Sequence, residues 1–275
     1  MGGLRALSGL FLRQLVHRKS LWLIVGLVAV MILVGYFVDR SMQTALEQGE
    51  SYDVATRRAR TALSSYTEQV KGYAVALVML TAALIAPAAR RDGTAQFVMG
   101  LSVSRYRLAA AQATALALFL AAAVFVMHCG YAIAARKVDP LTPLELALGW
   151  VGLLVPLLLM AATVFSLSLS KPAAVSWIVL LGLPYLALPL AEALMSQFPE
   201  RTTVRLEYLV DNLQMLFPSH QDVVVWPRLS LGLATSPAAH WGLEWTHACL
   251  ASLFWVALGL WMYRNLDLGS RTPTR

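Results

Sequence analysis

Apolar runs of membrane length alternate with short polar connections along this chain. Six stretches qualify: Leu21–Val38, Tyr73–Ala89, Leu108–Ala135, Leu144–Leu169, Ala174–Gln197 and Leu243–Tyr263. A hydrocarbon core about 30 Å thick takes roughly 20 apolar residues of helix to cross. Within a membrane every backbone N–H and C=O must be satisfied locally, which selects helices for runs of this kind. The pattern therefore predicts an all-α integral membrane protein of six transmembrane helices. The fifth run is the least regular, since Pro184, Pro189 and Glu192 interrupt it. Residues 1–275 read as a single transmembrane domain.

Between the runs, local patterns predict further elements. Leu4, Leu7, Leu10, Phe11 and Leu15 recur at three-to-four-residue spacing, with Arg5, Ser8, Arg13, His17 and Arg18 largely between them. That is the signature of an amphipathic helix lying in the headgroup plane, although a positive helix start that only sets topology has the same appearance. Residues 39–72 form a polar connection rich in helix formers, and a structureless loop of that length is unusual. Helical extensions of the flanking spans account for it. Its Arg57, Arg58 and Arg60 read as a solvated helical face ahead of an anion site. Ser170-Lys171-Pro172 is a turn so short that the fourth and fifth runs must be antiparallel neighbours. Residues 198–242 form a second sizeable segment outside the membrane. It has amphipathic character over Arg201–Phe217, followed by an irregular path through Pro218, Pro227 and Pro237.

Composition agrees with a membrane class: 58% of residues are hydrophobic and 13% charged, against about 25% charged in ordinary soluble domains. A net charge of +7 raises the question of nucleic acid, but the placement of charge answers it. With a cytoplasmic N-terminus the inner segments are 1–20, 90–107, 170–173 and 264–275. They hold twelve of the 22 Lys/Arg and only Asp92 and Asp267 of the 15 acids. Lys/Arg excess on the cytoplasmic side orients a membrane protein, so the termini are predicted inside the cell and no nucleic-acid partner is implied. The long basic start and the absence of a small-residue cleavage site after Val38 favour an uncleaved first span over a signal peptide.

The chemistry of catalysis is missing from the chain. It has no phosphate loop of the G-x-x-x-x-G-K-[ST] type, no H-E-x-x-H and no G-x-S-x-G. Cys129 and Cys249 lie in separate runs without C-x-x-C spacing, and read as small buried residues rather than metal ligands or a disulfide. Ionisable groups at membrane depth are functional candidates by default. Here these are His128 and Glu192, with Glu145 and Glu244 nearer the span edges; water at the outer face accounts for the glutamates, and a neutral His128 bonded to a neighbouring helix accounts for the histidine. The alanines of Leu108–Ala123 favour close helix packing.

One connection stands out, residues 90–107 between the second and third runs. It begins Arg90-Arg91-Asp92-Gly93-Thr94-Ala95-Gln96 and continues Phe97-Val98-Met99-Gly100-Leu101-Ser102-Val103-Ser104-Arg105. Its centre has helical apolar spacing and its ends are basic. The stretch from Arg91 to Arg105 resembles the acidic-basic, Gly-Thr, apolar-helix, Val-Ser-Arg pattern in permease subunits of ATP-binding-cassette transporters of the type-2 exporter class. Arg13-Gln14-Leu15-Val16-His17-Arg18-Lys19 before the first run and Tyr263-Arg264-Asn265-Leu266-Asp267-Leu268 after the last are similar to that family's ends. The chain departs from the common pattern with Arg91-Asp92 where two glutamates often flank an arginine, and with its 34-residue polar connection.

The resemblance implies a dimer of permeases, as homodimer or heterodimer, served by two copies of a separate ATPase in the cytoplasmic membrane. Residues 91–101 would form the coupling helix, with Arg91, Asp92, Gly93, Thr94, Phe97, Val98 and Leu101 at the ATPase interface and the arginines of the connection as membrane-side anchors. ATP and Mg would be bound by the partner, so this chain is expected to carry no cofactor, metal or catalytic residue of its own. Its cargo, exported or flipped, stays unspecified, and the outer segments allow for an extracytoplasmic accessory protein. Two competing readings remain at this level: a stand-alone secondary transporter, and a membrane scaffold that anchors a cytoplasmic ATPase. A membrane-embedded enzyme lacks convergent catalytic groups.

Overall fold

The computed structural model describes residues 2–17, 20–101, 103–136, 142–197 and 238–265, with five further positions between 210 and 217. Every regular element among them is helical. In chain order these are α1 (Gly2–His17), α2 (Ser20–Glu47), α3 (Tyr52–Arg91), α4 (Thr94–Gly100), α5 (Arg105–Ala135), α6 (Pro143–Ser168) and α7 (Ala173–Trp177). A π-helical stretch (Ile178–Ala187), α8 (Leu188–Gln197) and α9 (Ala238–Arg264) follow. Among the described residues three helices are long and apolar enough to cross a membrane: Arg105–Ile133, Pro143–Ser168 and Trp245–Arg264. The described residues are thus all-α, with the character of a membrane protein. Two compact units divide it, the first of residues 1–78, 114–158 and 224–237, the second of residues 79–113, 159–223 and 238–275.

The first unit begins with α1, which packs on α2. Ser8, Phe11 and Leu15 form the buried stripe of α1, while Leu4, Leu10 and Val16 are exposed. The polar stretch 39–72 is not a separate segment. It is the continuation of α2 to Glu47 and the start of α3 at Tyr52, joined by a four-residue turn. Gly49 at φ 81° lets the chain reverse in a left-handed conformation that costs other residues strain. The Gly49 N–H donates to the Leu46 carbonyl at 3.0 Å, and the Glu50 N–H donates to that of Ala45 at 3.1 Å. This pair of bonds is a Schellman end, which satisfies the carbonyls a helix terminus leaves open. Val34, Val38, Met42 and Ala45 on α2 and Ala55 and Ala59 on α3 are buried at the spacing of one helix face. Arg58 pairs with Glu50 at 2.9 Å across the turn.

In the same unit α5 and α6 meet through aromatic contacts. The Trp150 indole N–H donates to the Ala121 carbonyl at 3.2 Å, and its ring stands edge-on to Phe125 at 5.8 Å. Glu145 opens α6 with a capping box: its carboxylate accepts from the Thr142 N–H at 2.7 Å and hydroxyl at 2.9 Å. The Thr142 hydroxyl oxygen accepts in turn from the Glu145 N–H at 3.3 Å. A residue that stood out in sequence as a span-edge carboxylate therefore has a helix-starting role.

The second unit holds the end of α3, α4, the start of α5, the end of α6, α7, α8 and α9. The fifth apolar run is not one α-helix but α7, the π-helical stretch and α8. Proline cannot donate a helix hydrogen bond and collides with the preceding turn. Pro184 falls within the π-helical stretch and Pro189 is the second residue of α8, which continues that stretch without a break. The tightest packing in this unit brings α9 against α6. A Cβ on Gly259 would lie 2.5 Å from the carbonyl carbon of Ser166 and 2.8 Å from the Leu167 nitrogen. Only glycine permits that approach, and small residues at helix crossings are the usual means of close packing where apolar burial does not discriminate. A hydroxyl lies at the same crossing, Ser166 Oγ being 3.4 Å from the Trp255 carbonyl, while Ser168 Oγ turns to α3, 3.2 Å from the Ala82 carbonyl. The Trp255 indole N–H donates to the Leu216 carbonyl at 2.8 Å, and Phe217 stacks on its ring at 5.6 Å.

Gly259→Ala tests this crossing. The added methyl meets backbone, which cannot rotate away, so a loss of about 1–3 kcal/mol is expected from overpacking. Thermal unfolding of the purified chain in detergent reads it, and an unchanged transition would place the crossing further apart.

Candidate functional site

The connection between α3 and α5 is built by a sequence of local end signals. At the end of α3 the Asp92 N–H donates to the Ala88 carbonyl at 2.9 Å and the Gly93 N–H to that of Arg90 at 3.4 Å. Gly93 then takes φ 73° and forms the N-cap of α4. A β-carbon would be strained in that conformation, so the glycine sets where the chain leaves one helix and enters the next. The Phe97 N–H donates to the Gly93 carbonyl at 3.0 Å and starts α4, and the Leu101 N–H donates to Val98 at 3.1 Å and ends it. Ser104 caps α5: its hydroxyl oxygen accepts from the Arg107 N–H at 3.3 Å, and its carbonyl accepts from the Leu108 N–H at 3.0 Å. Ser104 thereby supplies the side-chain acceptor that a helix start favours.

Helical periodicity divides α4 into two faces. Ala95 and Val98 are buried, Val98 with 1% of its surface exposed; Phe97 and Leu101 are 69% and 62% exposed. Of the sequence-predicted interface, Arg91, Asp92 and Gly93 are exposed and Thr94 is half-buried. The expected coupling helix over 91–101 is shorter than that: Arg91 closes α3, Asp92 and Gly93 form the bend, and α4 runs from Thr94 to Gly100. Val98 belongs to the inner face because it lies three residues after Ala95, and the outward apolar side chains are Phe97 and Leu101.

The two arginines at the ends of the connection take up backbone carbonyls rather than lying free along a surface. Arg90 donates to the Ser168 carbonyl at 3.0 Å, to that of Lys171 at 3.2 Å and also to that of Leu169. These are the carbonyls left open where α6 ends. Arg105 donates to the carbonyls of Arg264 at 3.0 Å and Tyr263 at 3.4 Å, at the end of α9. The Tyr263 hydroxyl returns a bond to the Arg105 carbonyl at 3.2 Å, and its ring meets Tyr106 edge-on at 6.5 Å. Cations at helix C-termini are favoured twice, by the open carbonyls and by the helix dipole. Desolvation pulls the half-buried Arg90 guanidinium below the usual arginine range; an arginine is still the cation least ready to give up its proton there.

The arginine contacts were not legible in the sequence. Arginine near a helix end signals a carbonyl partner, but the partners lie 78 to 81 residues away for Arg90 and 158 or 159 for Arg105. Ser104 before the apolar run of α5 is a local signal that does locate its element.

The other ionisable candidates lie on other elements. His128 is fully buried on α5 and stacks on Tyr131 at 6.3 Å. Glu192 lies on α8 and Glu244 on α9. Among the described residues no group of three or more His, Cys, Asp or Glu is placed to hold a metal ion. The terminal stretches that carried part of the resemblance are described only as far as His17 and Asn265. Compared with protein-family models, characterised proteins and solved structures, the chain matches none.

The division of α4 into an inner and an outer face has a direct consequence. Val98→Asp places a carboxylate in a buried apolar position and is expected to cost about 3 kcal/mol or more. Phe97→Asp, at an exposed position, is expected within about 0.5 kcal/mol of the parent. Thermal unfolding of the two purified variants measures the difference, and equal losses would remove the assignment of faces.

Proposed function

We propose that this chain is the membrane-spanning permease subunit of an ATP-driven transporter of the ABC type-2 exporter class. In this reading six spans cross the cytoplasmic membrane with both termini inside, and α1 lies along the inner interface. The spans are α2, α3, α5, α6, the α7–π–α8 run and α9. Two permeases pair, and each presents α4 to one ATPase subunit, which supplies the nucleotide site and the magnesium. The chain contributes transport and not hydrolysis.

The observation that carries this reading is α4 itself. It is a seven-residue helix set off by Gly93, with Phe97 and Leu101 turned outward. Two apolar side chains so exposed at one short helix are suited to a protein partner, because aromatic and aliphatic anchors concentrate binding energy in small contacts. In this reading the ATP chemistry lies on that partner, in keeping with a sequence that carries no phosphate loop. The resemblance of residues 91–105 to the coupling segment of the family names the partner class. Basic residues at 90, 91, 105, 107, 171 and 264 accord with a cytoplasmic position for that side.

Co-expression with an ABC ATPase encoded beside this chain, followed by gentle solubilisation and capture on a tag on the permease, tests the reading. Equal numbers of permease and ATPase chains are expected in the complex. Phe97→Asp should lower ATPase retention roughly tenfold while the amount of chain in the membrane stays level. Failure to retain any ATPase removes the exporter and scaffold readings together. Retention unchanged by Phe97→Asp moves the contact away from α4. ATPase retained with no ATP-dependent transport in vesicles leaves the scaffold.

A further inference from the structure

The two arginine contacts sit at opposite ends of one short connection and reach two different helices. Arg90 is the next-to-last residue of α3 and Arg105 the first of α5. Arg90 gathers the carbonyls of Ser168, Leu169 and Lys171. These three are not consecutive, and a planar guanidinium with several N–H groups in a fixed fork can span them where a lysine ammonium offers only a compact point charge. Arg105 gathers two carbonyls at the end of α9, and the hydroxyl of Tyr263 bonds back to the Arg105 carbonyl. The second link is therefore made in both directions.

The helix ends that receive these contacts are themselves locked together. Gly259 of α9 lies directly against the backbone of Ser166 of α6, seven residues or fewer from the carbonyls that the arginines hold. Backbone pressed on backbone leaves neither helix free to slide past the other without opening the contact. Between the two arginines, Ala95 and Val98 seat α4 on the chain. The connection is thus held at both ends against a pair of helix ends that is already rigid.

We propose that Arg90 and Arg105 are positioning residues that fasten α4 to the ends of α6 and α9, so that these three elements move as one lever. A push on the outer face of α4 is transmitted to two long helices at once, through carbonyl contacts, and not only along α3 and α5. Rigid helices joined at discrete contacts carry displacement in this way. That a nucleotide-driven ATPase supplies the push rests on the functional reading above. The fastening itself does not.

The test uses the full chain in lipid nanodiscs, with Cys129 and Cys249 replaced by serine and nitroxide labels attached in pairs. Labels at Gln96→Cys and Ala174→Cys report α4 against the start of α7, which the short turn through Pro172 joins to the end of α6. Gln96→Cys with Asn265→Cys reports α4 against the end of α9, and Ala174→Cys with Asn265→Cys reports the turn that follows α6 against the end of α9. All three positions are exposed. Each pair is expected to give a single narrow distance distribution by electron paramagnetic resonance. In the Arg90→Gln/Arg105→Gln chain both distributions that include Gln96→Cys should lose their narrow peak. The 174–265 distribution, held by the Gly259 crossing, should keep it.

Narrow peaks for the Gln96 pairs in the double variant would overturn the proposal, because α4 would then be held by Ala95 and Val98 alone. Broadening of all three pairs would overturn it as well, since the arginines would then be holding the whole fold. The distances are read without any ATPase. A chain with these distances that retains no ATPase refutes the functional reading and leaves the lever standing, and retention of ATPase with unaltered distances does the reverse.

Discussion

A long apolar helix cannot satisfy its own last carbonyls, and where water is scarce each one left open costs free energy. That constraint organises the second unit of this protein. The end of α6 and the end of α9 both present open carbonyls, and both are met by arginines from the same connection, Arg90 and Arg105. Helix ends would otherwise turn toward solvent independently. Here they converge on the segment that carries α4, and the position of α4 follows from where those ends lie.

The crossing of α6 and α9 makes that convergence firm. Gly259 admits a backbone contact that any other residue would block, and Ser166 places a hydroxyl 3.4 Å from the Trp255 carbonyl at the same crossing. In an apolar chain, burial alone does little to choose one helix partner over another, so small residues and hydroxyls decide. The outward Phe97 and Leu101 are the consequence of the same architecture read from outside. With Ala95 and Val98 committed inward and Gly93 fixing the bend, the helix has one orientation to offer a partner.

The first unit follows a different logic, in which local signals are sufficient. Gly49 with its Schellman bonds makes the α2–α3 turn, and Thr142 with Glu145 starts α6. Both use residues within five positions of each other. Glu145 shows how a span-edge carboxylate, a candidate for function by its depth, is explained by a helix start. His128, buried and stacked on Tyr131, keeps its place in the core of the same unit.

The apolar pattern by itself determined the helical class of the described residues and the positions of three long apolar helices, because backbone satisfaction is local and leaves its mark in adjacent residues, whereas the bend at Asp92-Gly93 interrupts the helix expected over 91–101. It also predicted the helical continuation of residues 39–72. The fifth run was legible as apolar but not as a change of helical register over Ile178–Ala187. Which face of α4 turns outward, which carbonyls Arg90 and Arg105 hold, and that Gly259 must be glycine were decided by tertiary structure. Those contacts join residues from about 80 to nearly 160 positions apart, and no spacing along a single helix records which distant helix end will arrive beside it.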